Sequence, residues 1–159
     1  MDEVEIKLIV KICVLGEANV GKTSLIYRFI TEKFQKDYKA TLGVNLLKKT
    51  VVIGGFGGVN VQIWDLGGQE SFKSLRPMYL QGSQGALILY DITNRDSFDK
   101  LTNWIQDFRT DREEEPLILI GNKSDLIRFA FARRYVMAVN KQPNPYSMLR
   151  RRLMDEASP

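Results

Sequence analysis

A short segment near the N terminus carries the residue types that bind phosphate. Its sequence, GEANVGKT from Gly16 to Thr23, matches the pattern G-x-x-x-x-G-K-[ST] and stands between an apolar stretch and a helical pattern. Glycines let the backbone wrap around phosphate groups, which then meet successive N–H groups and the positive end of the following helix. Lys22 would add a cation toward the β and γ phosphates, and the Thr23 hydroxyl is a suitable Mg²⁺ ligand. The predicted phosphate-binding residues are Gly16, Glu17, Ala18, Asn19, Val20, Gly21, Lys22, Thr23 and Ser24.

A second polar segment, NKSD, follows a short apolar stretch and predicts a loop that reads a base. Asp125 can accept hydrogen bonds from the N1–H and the N2 amino group of guanine together. Adenine presents an acceptor at N1, so the carboxylate would be left unpaired, and mispaired buried polar groups are costly. Asn122, Lys123 and Asp125 are therefore candidate guanine-binding residues, with the lysine stem lying against the ring. An ATP-using phosphate-loop protein is the alternative that Asp125 argues against.

Between these segments stands WDLGGQE, which contains a third set of candidate residues. Asp65 ends a predicted strand, where its carboxylate can hold Mg²⁺ through water. Gly67 and Gly68 free the backbone to approach a γ-phosphate, and Gln69 is placed to orient a water for in-line attack. An ordinary glycine turn with a capping aspartate would have the same composition.

The elements that must position these residues follow from the apolar pattern. Short apolar runs alternate with helical spacing, as at Phe98, Leu101, Ile105 and Phe108, which favours an α/β fold. Residues 44–53 and 59–65 flank GGFGG and predict an antiparallel hairpin. The expected architecture is a three-layer α/β domain with a mostly parallel sheet and one antiparallel edge strand. The predicted strands are residues 6–15, 44–53, 59–65, 86–91 and 117–121, and a helix is expected to start near Gly21.

Bulk properties narrow the class of protein. A chain of 159 residues with 44% hydrophobic and 26% charged residues has the size and composition of one globular domain. The single cysteine, Cys13, lies in an apolar stretch and is expected to be buried, and histidine is absent. Acidic residues in the first few positions do not fit a secretory signal. We therefore expect a cytoplasmic location, with contact at the membrane periphery left open.

Together with YKATLGVN, these motifs resemble the Ras superfamily of small GTPases, and within it the Rab branch. The resemblance spans about residues 5 to 125. It implies a P-loop GTPase fold and a slow GTPase that switches between GTP and GDP with Mg²⁺. It also implies that Thr41 ligates Mg²⁺ and senses the γ-phosphate, that Tyr38 borders the nucleotide, and that Gln69, Lys22 and Thr41 serve hydrolysis. Residues 34–45 and 66–80 would be the two switches, read by effectors, exchange factors and GTPase-activating proteins.

Two departures from the Rab pattern lie within this stretch. Leu66 and Gly67 stand where a typical Rab has Thr-Ala, so that WDLGG looks more like the Arf branch. Ala18 occupies a position where the Ras branch carries glycine. No arginine is evidently placed to act on the phosphates in cis, and such a residue is worth on the order of 10³ to 10⁵ in rate. Slow intrinsic hydrolysis, accelerated by an activating protein, is therefore expected.

The C-terminal segment, residues 126–159, differs from the part before it. Residues 1–125 hold 16 basic and 17 acidic residues, whereas the last 34 hold seven basic and two acidic ones. The Ser-Ala-Lys loop and the final helix of the family are not recognisable there. The segment is interpreted as a divergent terminus, a splice product or the result of a reading-frame error. Its short strand candidate is residues 135–139.

The same segment leaves two functional alternatives open. A basic patch centred on residues 150–152 could contact a membrane, although nucleic acid is not the expected partner and no C-terminal cysteine is present for a lipid anchor. The loss of the family's C-terminal motifs also fits a pseudo-GTPase, an interaction protein that binds nucleotide weakly or not at all and does not hydrolyse it. The domain division expected from the sequence is a GTPase domain at 1–125 and a basic segment at 126–159.

Overall fold

Six strands form one sheet in the computed structural model, which describes residues 5–33, residues 41–126 and the backbone of residues 136–139. Their order across the sheet is β2-β3-β1-β4-β5-β6. The strands are β1 (Ile6–Leu15), β2 (Val44–Ile53), β3 (Gly57–Leu66), β4 (Gly85–Asp91), β5 (Leu117–Asn122) and β6 (Val136–Val139). The helices are α1 (Lys22–Thr31), α2 (Arg76–Leu80), α3 (Arg95–Asp99) and α4 (Leu101–Arg109), with 3₁₀ turns at Glu70–Leu75 and Ser124–Leu126.

The four central strands run parallel, which brings their carboxyl ends to one edge of the sheet. β1 pairs in parallel with both β3 and β4, and β4 pairs in parallel with β5. β3 therefore lies on one side of β1 and β4 on the other, so the strand order reverses direction at β1. Open α/β sheets bind ligands in the crevice at such a switch point. The loop that follows β1 is the predicted phosphate loop.

The sheet confirms the mostly parallel α/β fold with an antiparallel edge strand expected from the sequence. β2 and β3 form the predicted hairpin, with Val44 opposite Leu66 and Ile53 opposite Gly57. β6, which falls within the strand candidate 135–139, adds a second antiparallel strand at the other edge. The helical spacing between residues 98 and 108 resolves into two short helices, α3 and α4, that meet at Lys100.

The core lies on both faces of the sheet because alternate residues of each strand point to opposite sides. Leu15 and Ile88 pack on one face with Trp104 and Phe108 of α4. Val14 packs on the other face, in a cluster with members from α1, β3 and β4. The clusters are completed by Cys13, Leu66, Leu80, Ala86, Tyr90, Leu101, Ile105, Leu117 and Leu119 on the first face, and by Val20, Ile26, Ile63 and Leu89 on the second.

Cys13 is buried, as the sequence predicts, and packs within the larger cluster. Its sulfur lies 2.9 Å from the Ser83 hydroxyl oxygen, and burial raises the pKa of the thiol. A thiol in this setting is a small packing group. In the part of the chain that the structure describes, no helix is both long enough and apolar enough to cross a membrane.

Candidate functional site

The phosphate loop lies between β1 and α1 and already holds its lysine in place. The Lys22 ammonium is buried at the mouth of the loop and donates hydrogen bonds to the carbonyl oxygens of Gly16 and Glu17, at 2.7 and 2.8 Å. Burial lowers the pKa of Lys22 to about 8, against the opposing effect of the carboxylates of Asp65 and Glu17. Asn19 has a φ of 64°, a left-handed conformation that non-glycine residues rarely adopt. The loop therefore presents a buried cation and a strained turn at a strand-to-helix junction.

The phosphate loop and the predicted base loop are joined by one side chain. The Asn122 amide nitrogen donates a hydrogen bond to the carbonyl oxygen of Val20 at 2.8 Å. Gly21 has a φ of 94°, and a Cβ at this position would overlap the same amide nitrogen. Glycine is thus required both by the backbone conformation and by the close approach of Asn122. This contact fixes the distance between the two predicted loops.

The three predicted Mg²⁺ ligands lie together beside the loop. The Thr23 hydroxyl donates to Asp65 Oδ2 at 2.6 Å and lies 2.6 Å from the Thr41 hydroxyl oxygen. The Thr41 hydroxyl is also 3.4 Å from Asp65 Oδ2. Hard oxygen atoms of this kind suit Mg²⁺.

An unpaired oxygen atom of Asp65 shows whether these residues fit a metal ion. Asp65 is fully buried, and its Oδ1 atom has no hydrogen-bond partner among the residues that the structure describes. Burial raises the pKa of this carboxyl, although hydrogen bonds from Thr23 and Thr41 and the Lys22 charge oppose the shift. Because an unpaired buried carboxylate oxygen is costly, an ion or its bound water would satisfy it. The donor set therefore fits Mg²⁺.

The segment after β3 packs directly against the phosphate loop. Gly68 is buried, and a Cβ there would overlap the peptide that joins Glu17 to Ala18. The Gly67 N–H donates to the Gly43 carbonyl oxygen at 2.7 Å, which links the two predicted switch segments. Gln69 follows as a half-buried residue at the start of the 3₁₀ turn. The geometry thus places Gln69 one residue after a direct contact with the phosphate loop.

The base loop shows a contact that the sequence did not predict. The Lys123 ammonium lies 2.7 Å from an Asp91 carboxylate oxygen, and Lys123 has a φ of 66°. Burial acts to raise the pKa of Asp91, but hydrogen bonds from Lys123 and Thr93 outweigh it and leave the pKa lowered. Asp125 is exposed and available to a ligand.

Asp91 also caps the chain after β4 by accepting a hydrogen bond from the Thr93 N–H at 2.9 Å. Its pairing with Lys123 follows from strand register, because Asp91 lies opposite Asn122 in the β4–β5 pair. That neighbourhood becomes visible only when the strand order is known.

Two residues that are not among the candidate site residues, Trp104 and Arg76, are linked to the phosphate loop. The Trp104 indole nitrogen contacts Glu17 of the phosphate loop, and Arg76 stacks on the Trp104 ring. Of the predicted switch segments, residues 34–40, including Tyr38, lie outside the described residues, as do residues 150–152 of the basic segment.

The comparison with protein families agrees with this geometry. The Ras family model matches residues 11–144, which is more than half of the chain. The matched range contains the phosphate loop, the Thr23, Thr41 and Asp65 cluster, Gln69 and the base loop. On this match, together with the sheet and the loops that it positions, the chain belongs to the Ras family of small GTP-binding proteins.

Proposed function

We propose that this chain is a guanine-nucleotide switch that binds GTP or GDP with Mg²⁺ and hydrolyses GTP slowly. The observation that carries the proposal is the convergence of Thr23, Thr41 and Asp65 beside the buried Lys22 ammonium. These residues come from three separate elements, the phosphate loop, the segment before β2 and the end of β3. A merely structural role would not require three oxygen ligands and a desolvated cation at one strand edge.

The residues divide into three tasks. Lys22 and the backbone N–H groups of the loop would bind the phosphates, and the following helix adds its positive end. Thr23, Thr41 and Asp65 would hold Mg²⁺, which would neutralise phosphate charge when bound. Gln69 would orient the attacking water. Asp125 would select guanine, while Asn122 and Lys123 hold the base loop through Val20 and Asp91.

Switching follows from the contacts between the two segments. Thr41 contacts Thr23 at one end of the phosphate loop, Gly68 packs against the Glu17–Ala18 peptide, and the hydrogen bond from Gly67 to Gly43 joins the two segments. A γ-phosphate that recruits Thr41 and the Gly68 N–H would order both segments, and its loss would release them. Effectors, exchange factors and activating proteins would then read residues 34–45 and 66–80.

Within the Ras superfamily, this chain is proposed to be a Rab-like protein with an Arf-like WDLGGQ segment. In the Arf-like segment, Leu66 is buried in the core cluster. A threonine at this position, as in a typical Rab, would bury a hydroxyl group that needs a hydrogen-bond partner. A Rab-like protein would act in membrane trafficking and would have a cytoplasmic location.

Hydrolysis distinguishes the switch from its main rival, a pseudo-GTPase that only binds partners. The test is single-turnover release of phosphate from bound GTP, comparing the unmodified chain with Gln69→Leu. We expect slow release that falls at least about tenfold in the variant, since general positioning of a nucleophile contributes 10²-fold or more. Equal binding with no phosphate release in either protein would support the rival.

A third candidate, an ATP-using protein, is tested by competition. ATP in large excess should leave bound fluorescent GDP in place, because adenine cannot pair with Asp125. Displacement by ATP and GTP at similar concentrations would favour that candidate.

A further inference from the structure

The Glu17 side chain points out of the phosphate loop and is held by α4 and the residue before it. The Trp104 indole N–H donates to Glu17 Oε1 at 2.9 Å, and the Lys100 ammonium lies 3.1 Å from Glu17 Oε2. The Trp104 side chain is almost fully buried, at 1% exposure. Hydrogen bonds to a charged acceptor are roughly twice as strong as neutral ones. Glu17 is therefore tied by two such bonds, one to Trp104 of α4 and one to Lys100, the residue before that helix.

The face of the same indole carries a residue from the second predicted switch. The Arg76 guanidinium carbon lies 3.7 Å from the centroid of the Trp104 ring, and Arg76 is only 4% exposed. Its Nη1 donates to Asp107 Oδ2 at 2.7 Å. Within the described part of the chain, its Nε and Nη2 atoms are buried without a hydrogen-bond partner, although Nη2 lies 3.8 Å from Glu70. A buried guanidinium with two unused donors has hydrogen bonds still to make in another arrangement of the switch.

The backbone of Glu17 connects this contact to the phosphate chemistry. Its carbonyl oxygen accepts a hydrogen bond from the Lys22 ammonium at 2.8 Å, and the peptide that joins it to Ala18 packs against Gly68. Movement of the Glu17 side chain would therefore shift the carbonyl that positions Lys22 and the peptide that packs against Gly68. One indole ring thus touches both the second switch and the loop that holds the phosphates.

We propose that Glu17 and Trp104 are positioning residues that couple the conformation of residues 66–80 to the rate at which the phosphate loop releases its nucleotide. The proposal rests on the proposed function and adds to it a route through the indole ring. When the second switch rearranges, Arg76 leaves or changes its place on the ring. Trp104 and Glu17 then transmit the change to the Lys22 site. Release of nucleotide and the conformation of the switch are in this way linked.

The first test is the dissociation rate of a fluorescent GDP analogue in the presence of Mg²⁺. Trp104→Phe keeps a ring for Arg76 but removes the N–H that Glu17 accepts, and we expect dissociation at least about fivefold faster. Glu17→Gln keeps an acceptor for the indole and should change the rate less than about threefold. Phe108→Leu is the matched control because Phe108 is buried on the same helix and has no hydrogen bond or ion pair with Glu17. It should lower the urea midpoint without accelerating dissociation.

The second test uses fluorescence, since Trp64 and Trp104 are the two tryptophans of the chain. In Trp64→Phe, all tryptophan emission comes from Trp104, and it should differ between the GDP state and the state with a non-hydrolysable GTP analogue. Adding Arg76→Met should remove that difference while GDP still binds. A purely structural role for Trp104 would not produce either effect.

Three outcomes separate the proposals. Unchanged GDP dissociation in Trp104→Phe, or identical Trp104 emission in both nucleotide states, would overturn the coupling and leave the guanine-nucleotide switch intact. Absence of saturable GDP binding in the unmodified chain would overturn the proposed function and this coupling with it. Faster dissociation in Trp104→Phe but not in Phe108→Leu, with emission that depends on the nucleotide, would support both.

Discussion

Raising the pH from 7 to 8.5 should weaken nucleotide binding through a single group, the Lys22 ammonium. Burial lowers its pKa to about 8 in the nucleotide-free protein. Bound phosphates would stabilise the charged form and raise that pKa, because an opposite charge nearby favours ionisation. Nucleotide must therefore bind together with a proton wherever Lys22 is neutral in the free protein. Affinity is therefore full well below pH 8 and declines as the pH rises through 8.

The magnitude comes from the fraction of neutral lysine. With a pKa of about 8, about a tenth of Lys22 is neutral at pH 7, half at pH 8 and about three quarters at pH 8.5. Binding should then take up about 0.1 proton at pH 7 and about 0.5 at pH 8, and affinity should fall roughly fourfold between pH 7 and pH 8.5. The guanine ring itself is not yet ionised at pH 8.

The assay is calorimetric titration of GDP, with Mg²⁺, in two buffers of different ionisation enthalpy at each pH. The difference between the two apparent enthalpies gives the number of protons taken up. Lys22→Arg is the matched control, since arginine stays charged throughout this range, and it should bind more weakly with no proton uptake. Proton uptake near zero at pH 8 in the unmodified chain would refute the reasoning, as would equal uptake in Lys22→Arg.

Three further changes test other parts of the account. Asp125→Asn should weaken GDP binding by at least about a hundredfold and favour xanthosine diphosphate, whose C2 carbonyl can accept from the new amide; unchanged preference in a competition titration would contradict the role of Asp125. Thr23→Ala should make GDP release nearly insensitive to EDTA, which otherwise accelerates it, because a Mg²⁺ ligand is lost; EDTA acceleration equal to that of the unmodified chain would argue against the metal site. Phe108→Ala should lower the free energy of unfolding by about 3 to 5 kcal/mol, measured by urea denaturation, because the ring is fully buried; a loss below about 1 kcal/mol would show that the core is packed differently.

Much of the fold and the main loops could be predicted from the sequence, because each loop directly follows an apolar strand. The phosphate loop follows β1, Asp65 lies near the end of β3, and NKSD overlaps the end of β5. When strands run parallel, the residues at their carboxyl ends lie along the same edge of the sheet. Asp65 meets the phosphate loop in this way, whereas Thr41 precedes the antiparallel strand β2 and reaches Asp65 because the start of β2 lies opposite the end of β3.

Other contacts could not be predicted because they depend on strand order and side-chain direction. Asp91 reaches Lys123 only because β4 and β5 are neighbours in register. Trp104 has the spacing of a core residue and is one, yet the polar edge of its ring reaches Glu17, far away in the sequence. The antiparallel direction of β6 is likewise fixed by pairing with β5 and has no counterpart in local pattern. These contacts become visible only when the strand order and the side-chain directions are known.

The most direct measurement of the central claim is titration of a fluorescent GDP analogue into the purified chain with Mg²⁺, with Asp125→Ala measured beside it. The account predicts tight, saturable binding that GTP reverses and excess ATP does not, and that is lost in the variant. A folded chain that shows no saturable binding, or one whose binding ATP competes away, would contradict it.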